Sequence, residues 1–101
     1  MALNIKTQLT TREGLQVFPS YARIAYMIPN EGNIINIGIQ FWVDETNFRN
    51  ATPDFNVANR EITLLTVPFD RLTDGDPLQF AHQKMVEYLE SHNIVAEIVL
   101  D

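Results

Sequence analysis

The sequence contains no cysteine, which excludes disulfides, thiolate nucleophiles and cysteine-ligated zinc or iron–sulfur sites. It also lacks a long apolar run, because its densest apolar stretches, residues 34–43 and 62–67, are far shorter than the roughly 20 residues of a membrane-spanning helix. Its four glycines are scattered, so there is no glycine-rich phosphate-binding loop. We therefore expect a protein without a nucleotide cofactor and without a membrane partner.

Basic residues are scarce as well. Seven Lys and Arg residues stand against thirteen Asp and Glu residues, which gives a formal net charge of −6. Contacts with phosphates need a basic surface, so this balance argues against nucleic acid as a partner. The excess lies in residues 70–101, which hold seven acids and two bases, 2 − 7 = −5. A solvated helix face with an acidic loop explains it, and a docking surface for a basic partner is the alternative.

The apolar residues suffice for one core. With 101 residues, 46% of them hydrophobic, the chain fits a single domain spanning residues 1–101. Apolar residues alternate with polar ones at residues 2–10, which predicts a first strand, and residues 15–18 predict a short second one. Residues 21–27 and 33–43 predict a hairpin, because turn-forming residues separate two alternating segments.

Residues 33–43 show the clearest alternation. The odd positions form a wholly apolar face made of Ile35, Ile37, Ile39, Phe41 and Val43. Gly38 lies on the opposite face, where it leaves a gap that a neighbouring side chain or another backbone can approach, and a bulge is an option there. If the odd face meets the core, Trp42 lies on the outer face with Ile34, as an exposed apolar patch of the kind found at assembly surfaces.

One helix is predicted in the C-terminal half, at about residues 77–92. Asp76 is suited to cap it, and Pro77 is suited to its first position. One apolar stripe recurs at spacings of three and four residues and consists of Leu78, Ala81, Met85, Tyr88 and Leu89. Asn93 is a plausible left-handed residue at the end of the helix.

Strands are predicted on both sides of this helix. Residues 61–67 form one of them, with Ile62 and Leu64 on one face, and residues 94–99 form the last. The pattern as a whole predicts an α+β fold, in which a mainly antiparallel sheet of about five strands carries one helix.

Residues 44–60 lose this periodicity and are rich in asparagine, so they predict a long exposed loop. Loops of this length are usually functional or mobile. Phe48, Phe55 and Val57 are poor choices for a solvated connector, and they either pack on their own domain or anchor in a partner. The loop is therefore the preferred interaction element. The candidate interface residues are Trp42, Ile34, Phe48, Phe55 and Val57.

Residues suited to catalysis are few and poorly placed. His82 and His92 are ten residues apart, about three helical turns, which is too far for both to bind one metal ion. The aspartates around Gly75 lack the spacing of a calcium loop, and turn and capping roles explain them. Ser20 and Ser91 do not lie in a nucleophile elbow. We therefore predict no catalytic, cofactor or metal site.

The order of these elements is itself informative. A short N-terminal strand precedes Tyr21-Ala22-Arg23-Ile24 at the start of the hairpin, Phe41-Trp42-Val43 ends the hairpin, and a late helix contains Ala81, Tyr88 and Leu89. This layout resembles small virion structural proteins of tailed bacteriophages, those of the neck, tail and baseplate. The resemblance implies a non-enzymatic virion protein whose loop and sheet edges contact other copies of itself and other structural proteins. Residues 44–60 depart from the layout.

Three functions are consistent with the sequence. The first is a structural subunit, homo-oligomeric or particle-bound, located in the virion after synthesis in the host cytoplasm. The second is an acidic binding protein or inhibitor that docks on a basic partner. The third is an enzyme with a dispersed site. Polar residues follow Met1 too closely for a secretory signal, so outside a virion we expect a cytoplasmic protein.

Overall fold

The computed structural model describes residues 1–30, 33–70 and 73–100. The strands are β1 (Ala2–Ile5), β2 (Leu9–Thr10), β3 (Gln16–Val17), β4 (Ser20–Asn30), β5 (Ile34–Trp42), β6 (Leu64–Pro68) and β7 (Ala96–Val99), and the helices are α1 (Glu45–Arg49) and α2 (Pro77–Ser91). Glu31 and Gly32 of the predicted hairpin turn lie outside the described residues, as do Arg71 and Asp101, which count toward the acidic excess.

Five strands form one antiparallel sheet in the order β6-β5-β4-β1-β7, and β2 pairs with β3 in a separate small sheet. The helix α2 packs against the large sheet, so the predicted α+β class and its single main helix are confirmed. No helix in the described parts of the chain is long and apolar enough to cross a membrane.

The sheet is staggered around the central β4–β5 hairpin. Strand β1 pairs with residues 20–22 of β4, and β7 lies outside β1. Strand β6 pairs with residues 34–38 of β5, close to the hairpin turn. The sheet thus has two different ends, named here the β7 end and the β6 end.

Two strand predictions need correction. The predicted strand at residues 2–10 is two strands, because the chain leaves the sheet after Ile5 and the Thr7 hydroxyl accepts a hydrogen bond from the Val95 amide (2.8 Å). Ile62 and Leu64 do not share a face, since Arg60–Thr63 is a 3-10 turn, whose three residues per turn break the alternation of a strand. Ile62 is therefore buried, whereas Leu64 is 58% exposed.

The core lies between the sheet and α2. The odd residues of β5 up to Phe41 are buried as predicted, and Val43, beyond the end of the strand, is exposed. Asp76 caps α2 by accepting a hydrogen bond from the Leu78 amide (3.0 Å), and Asn93 beyond its end has a φ of 63°. The buried residues of the helix are Ala81, His82, Met85 and Leu89.

Gly38 allows a close approach on the outer face of the sheet, the face opposite α2. The ring of Tyr26 occupies the space in which a Cβ atom at Gly38 would lie. The register of β4 against β5 shifts between Ile24 and Tyr26, which is the signature of a bulge. The close contact predicted at Gly38 is therefore present.

Candidate assembly surface

The prediction that Trp42 is exposed on the outer face is wrong. Trp42 is 9% exposed because α1 lays the ring of Phe48 against it, with the ring centroids 4.9 Å apart. The Trp42 indole also donates a hydrogen bond to the carbonyl oxygen of Thr52 (2.7 Å). The predicted Trp42–Ile34 patch therefore does not exist, and the half-buried Ile34 lies at the opposite end of β5.

The segment predicted to be a long exposed loop, residues 44–60, is largely attached to the domain. The Phe55 amide donates a hydrogen bond to the carbonyl oxygen of Phe41 (2.9 Å), and Val57 bridges Thr11 and is 4% exposed. Of the two alternatives for its apolar residues, packing on their own domain is the one observed for Phe48, Phe55 and Val57.

A sequence signal for α1 exists, although the pattern of apolar residues does not contain it. The Asp44 carboxylate accepts a hydrogen bond from the Asn47 amide (2.7 Å), as an N-cap does. Glu45 and Arg49 form an ion pair of 2.7 Å across one turn of the helix. Asp44 followed by this charge pair is a helix start that periodicity alone misses.

Both histidines considered for catalysis make contacts within α2 or beside its end. His82 is buried, and its Nδ1 donates a hydrogen bond to the carbonyl oxygen of Leu78 (2.7 Å), since a carbonyl only accepts. His92 packs edge-on against the ring of Tyr88, with the ring centroids 4.8 Å apart. Within residues 1–30, 33–70 and 73–100, no group of three His, Asp or Glu residues is arranged to hold a metal ion.

At the β7 end, the outer face of the sheet is covered. Ala2, Tyr21 and Trp42 are buried there, and Val99 and Phe48 pack against them. The Arg23 guanidinium lies over the Phe48 ring, 4.5 Å from its centroid, and donates a hydrogen bond to the Tyr21 hydroxyl (2.9 Å). These contacts hold α1 on the sheet.

At the β6 end, the same face is open. Tyr26, Ile28 and Leu64 are 40%, 51% and 58% exposed, and they line a shallow cleft of about 300 Å³. The polar part of this cleft is a hydrogen bond of 2.6 Å from the Thr66 hydroxyl to the Asn36 side chain. The exposed apolar patch expected beside Trp42 is thus found at the other end of the sheet.

The edge formed by β6 has few free donors. In an antiparallel ladder, alternate residues direct their N–H and C=O groups to the neighbouring strand. The Phe69 amide donates to the Asn33 carbonyl oxygen (2.7 Å), which shows that Phe69 directs its backbone groups to β5. Counting back in steps of two, Val67 and Leu65 also direct their N–H and C=O groups to β5, and the residues between them direct theirs away from the sheet. The Leu64 amide is bonded to the Glu61 carbonyl oxygen, and Pro68 has no N–H. Only the Thr66 amide in β6 remains to donate to an added strand.

The edge formed by β7 has three outward donors. The Lys6 amide donates to the Val95 carbonyl oxygen (2.8 Å), which shows that the Val95 carbonyl points to β1. In steps of two along the strand, Glu97 and Val99 therefore also direct their backbone N–H and C=O groups to β1. The N–H groups that point away from the sheet belong to Ala96 and Ile98 of β7 and to Leu100, which directly follows the strand. No proline, bulge or further strand obstructs this side of β7 in the described chain.

Part of β4 also has a single neighbour, because β1 ends opposite Ala22. The bulge between Ile24 and Tyr26 and the missing N–H of Pro29 obstruct the addition of a strand there. Strand β7 is therefore the edge best suited to pair with another chain.

Comparison of the chain with protein families, curated proteins and solved structures finds no match.

Proposed function

We propose that the protein is a non-enzymatic assembly subunit, of the kind found among the neck, tail and baseplate components of tailed bacteriophages, and that it contacts other copies of itself through β7. The observation that supports this proposal is the open β7 edge, with outward N–H groups at Ala96, Ile98 and Leu100. Exposed edges of this kind are templates for pairing with another strand.

Two copies of the chain satisfy every outward donor when their β7 strands pair in antiparallel orientation. A two-fold axis then passes between the two Ile98 residues. Ile98 then exchanges both hydrogen bonds with Ile98 of the second copy, and Ala96 exchanges both with Leu100 of the second copy. The two five-stranded sheets become one continuous sheet.

The side chains in β7 and directly beside it suit this pairing. Leu100 is 84% exposed and Val95 is 57% exposed in the single chain, so an added strand covers apolar surface. Glu97 is the only charged residue of β7, and its carboxylate pairs with the Lys6 ammonium (3.7 Å), which limits repulsion between two copies.

The test is the solution mass by light scattering over a wide concentration range. The wild type is expected to form dimers as the concentration rises. Ala96→Pro removes an outward N–H without removing a bond to β1, so it is expected to give monomers. Thr66→Pro, which removes the outward N–H of β6, is the matched control and is expected to dimerise like the wild type. A monomeric wild type, or equal dimerisation of Ala96→Pro, contradicts self-pairing through β7.

A second candidate function is docking on a basic partner. It is supported by exposed acidic side chains on and before α2, at Asp74, Asp76, Glu87 and Glu90, beside a single described base, Lys84. Binding of a lysine-rich peptide that weakens steeply with ionic strength supports this function, and salt-insensitive or absent binding counts against it.

A further inference from the structure

We infer that a cleft between Arg12 and Arg60 binds a small monocarboxylate with an apolar body, which is a site separate from the proposed β7 interface. The cleft has a volume of about 170 Å³. The residues that line it are Arg12, Ile39, Gln40, Phe41, Asp54, Phe55, Asn56, Val57, Arg60 and Thr63.

The first observation is that Arg12 and Arg60 form no ion pair with a described carboxylate. Three other cations have carboxylate partners: Lys6 pairs with Glu97, Arg49 with Glu45 and Lys84 with Glu87. In the described residues, no carboxylate lies within 4.0 Å of the guanidinium of Arg12 or Arg60. In a protein with a net charge of −6, Arg12 and Arg60 thus have no ion pair with any described residue, and both line one cleft.

The second observation is that the backbone on both sides of the cleft is fixed, while the side chains of Arg12 and Arg60 are exposed. The Arg12 amide donates a hydrogen bond to the Asn56 carbonyl oxygen (2.8 Å), and the Ala58 amide donates one to the Thr10 carbonyl oxygen (2.9 Å). Arg60 begins the 3-10 turn that Ile62 anchors in the core. Both walls of the cleft are therefore held in place before a ligand binds, which lowers the entropy lost on binding.

The third observation concerns the class of ligand. Phe55 lines the cleft and is half-buried, and its ring packs against the buried ring of Phe41, with the ring centroids 6.0 Å apart. A cavity of about 150 Å³ holds a benzene molecule, so this cleft accommodates a body of similar size. Guanidinium groups suit a carboxylate at the other end of that body.

Asp54 restricts the charge of the ligand. Asp54 lines the same cleft as Arg12 and Arg60, so the formal charge of the three residues is 2 − 1 = +1. This charge matches a monoanion and disfavours phosphate and other multiply charged anions. A free small carboxylate and the terminal carboxylate of a partner chain share this chemistry.

The test is an NMR titration of the full chain with benzoate, followed at the amides of Asn56 and Val57. Benzoate is expected to saturate these shifts, whereas the neutral benzamide and inorganic phosphate are not. Arg12→Gln and Arg60→Gln are each expected to weaken benzoate binding about tenfold, the loss expected for one charge-assisted contact. Asp54→Asn is expected to strengthen it.

Arg49→Gln is the matched control, since Arg49 pairs with Glu45 away from the cleft, and it is expected to bind benzoate like the wild type. Ala96→Pro is also expected to bind normally, which separates this site from the β7 interface. Tighter binding of a short peptide with a C-terminal phenylalanine identifies a chain terminus as the ligand, and weaker binding identifies a free carboxylate. Unsaturated shifts, or equal benzoate binding by the Arg12→Gln, Arg60→Gln double variant, overturn the inference.

Discussion

The two ends of the sheet each leave a different kind of surface open. At the β6 end the edge is blocked by Pro68 and by the bonded Leu64 amide, while the outer face exposes Tyr26 and Ile28. At the β7 end the outer face is covered by Phe48, while the edge keeps three outward N–H groups. Blocking an edge prevents directional backbone pairing, whereas covering a face removes only undirected apolar contact. Of the two ends of the described sheet, the β7 end therefore offers more outward donors for directional pairing.

The largest expected effect comes from placing proline at adjacent residues of β7. The Glu97 amide bonds β1, so Glu97→Pro is expected to lower the free energy of unfolding by about 3 kcal/mol through a lost ladder bond and distortion of the strand. Ala96→Pro, whose amide faces outward, is expected to cost much less. Urea denaturation of both variants measures the difference, and equal losses would show that the donors of β7 are not directed as described.

Removing the cover of the β7 end is expected to have the next largest effect. Phe48→Ala deletes the ring that packs on Trp42 and Tyr21, and the expected loss is about 2 kcal/mol because the ring is half-buried. Trp42 fluorescence should shift to the red as water reaches the indole. Phe18→Ala is the control, since Phe18 is 65% exposed. An unchanged Trp42 spectrum in Phe48→Ala would contradict the covering role of α1.

Opening the blocked edge sharpens the comparison further. Pro68→Val gives β6 a second outward N–H, at the residue paired with Ile34. We expect this variant to self-associate about fivefold more strongly than the wild type, because an added backbone hydrogen bond is worth about 1 kcal/mol. Sedimentation velocity measures the effect. Wild-type association of Pro68→Val, together with a Pro68→Val, Ala96→Pro double variant that stays monomeric like Ala96→Pro, would mean that Pro68 does not protect this edge.

The smallest expected effect concerns the open face of the β6 end. Gly38→Ala places a methyl group in the space of the Tyr26 ring, which must swing toward solvent, at a cost of about 1 kcal/mol. In a Tyr26→Ala background the same substitution should cost close to nothing. A thermal unfolding double-mutant cycle tests this, and additive losses would contradict a direct contact.

The sequence predicts elements whose periodicity is long and uniform. Residues 33–43 and 77–92 repeat a strand or helix pattern often enough to predict β5, α2 and the buried face of each. Short elements escape this reasoning, because a helix of five residues such as α1 has too few positions to show a period. Ile62 shows the same limit, since a single 3-10 turn reverses the face expected from alternation.

The candidate surface was harder to predict than the fold. The exposure of Trp42 depends on what covers the outer face, and that is decided by Phe48, a residue in a segment with no periodicity. The direction of the N–H groups in β7 depends on its register with β1, which is a long-range pairing that the sequence of β7 does not contain. The proposed interface therefore lies at Ala96, Ile98 and Leu100 and not at Trp42 and the loop.

The most direct test of the difference between the two edges is hydrogen exchange of the Ile98 and Thr66 amides, measured by NMR at low and high protein concentration. Pairing through β7 requires that exchange of the Ile98 amide slows as the concentration rises, while exchange of the Thr66 amide does not change. Exchange of Ile98 that is independent of concentration, or slowing of Thr66 instead, would contradict assembly through β7.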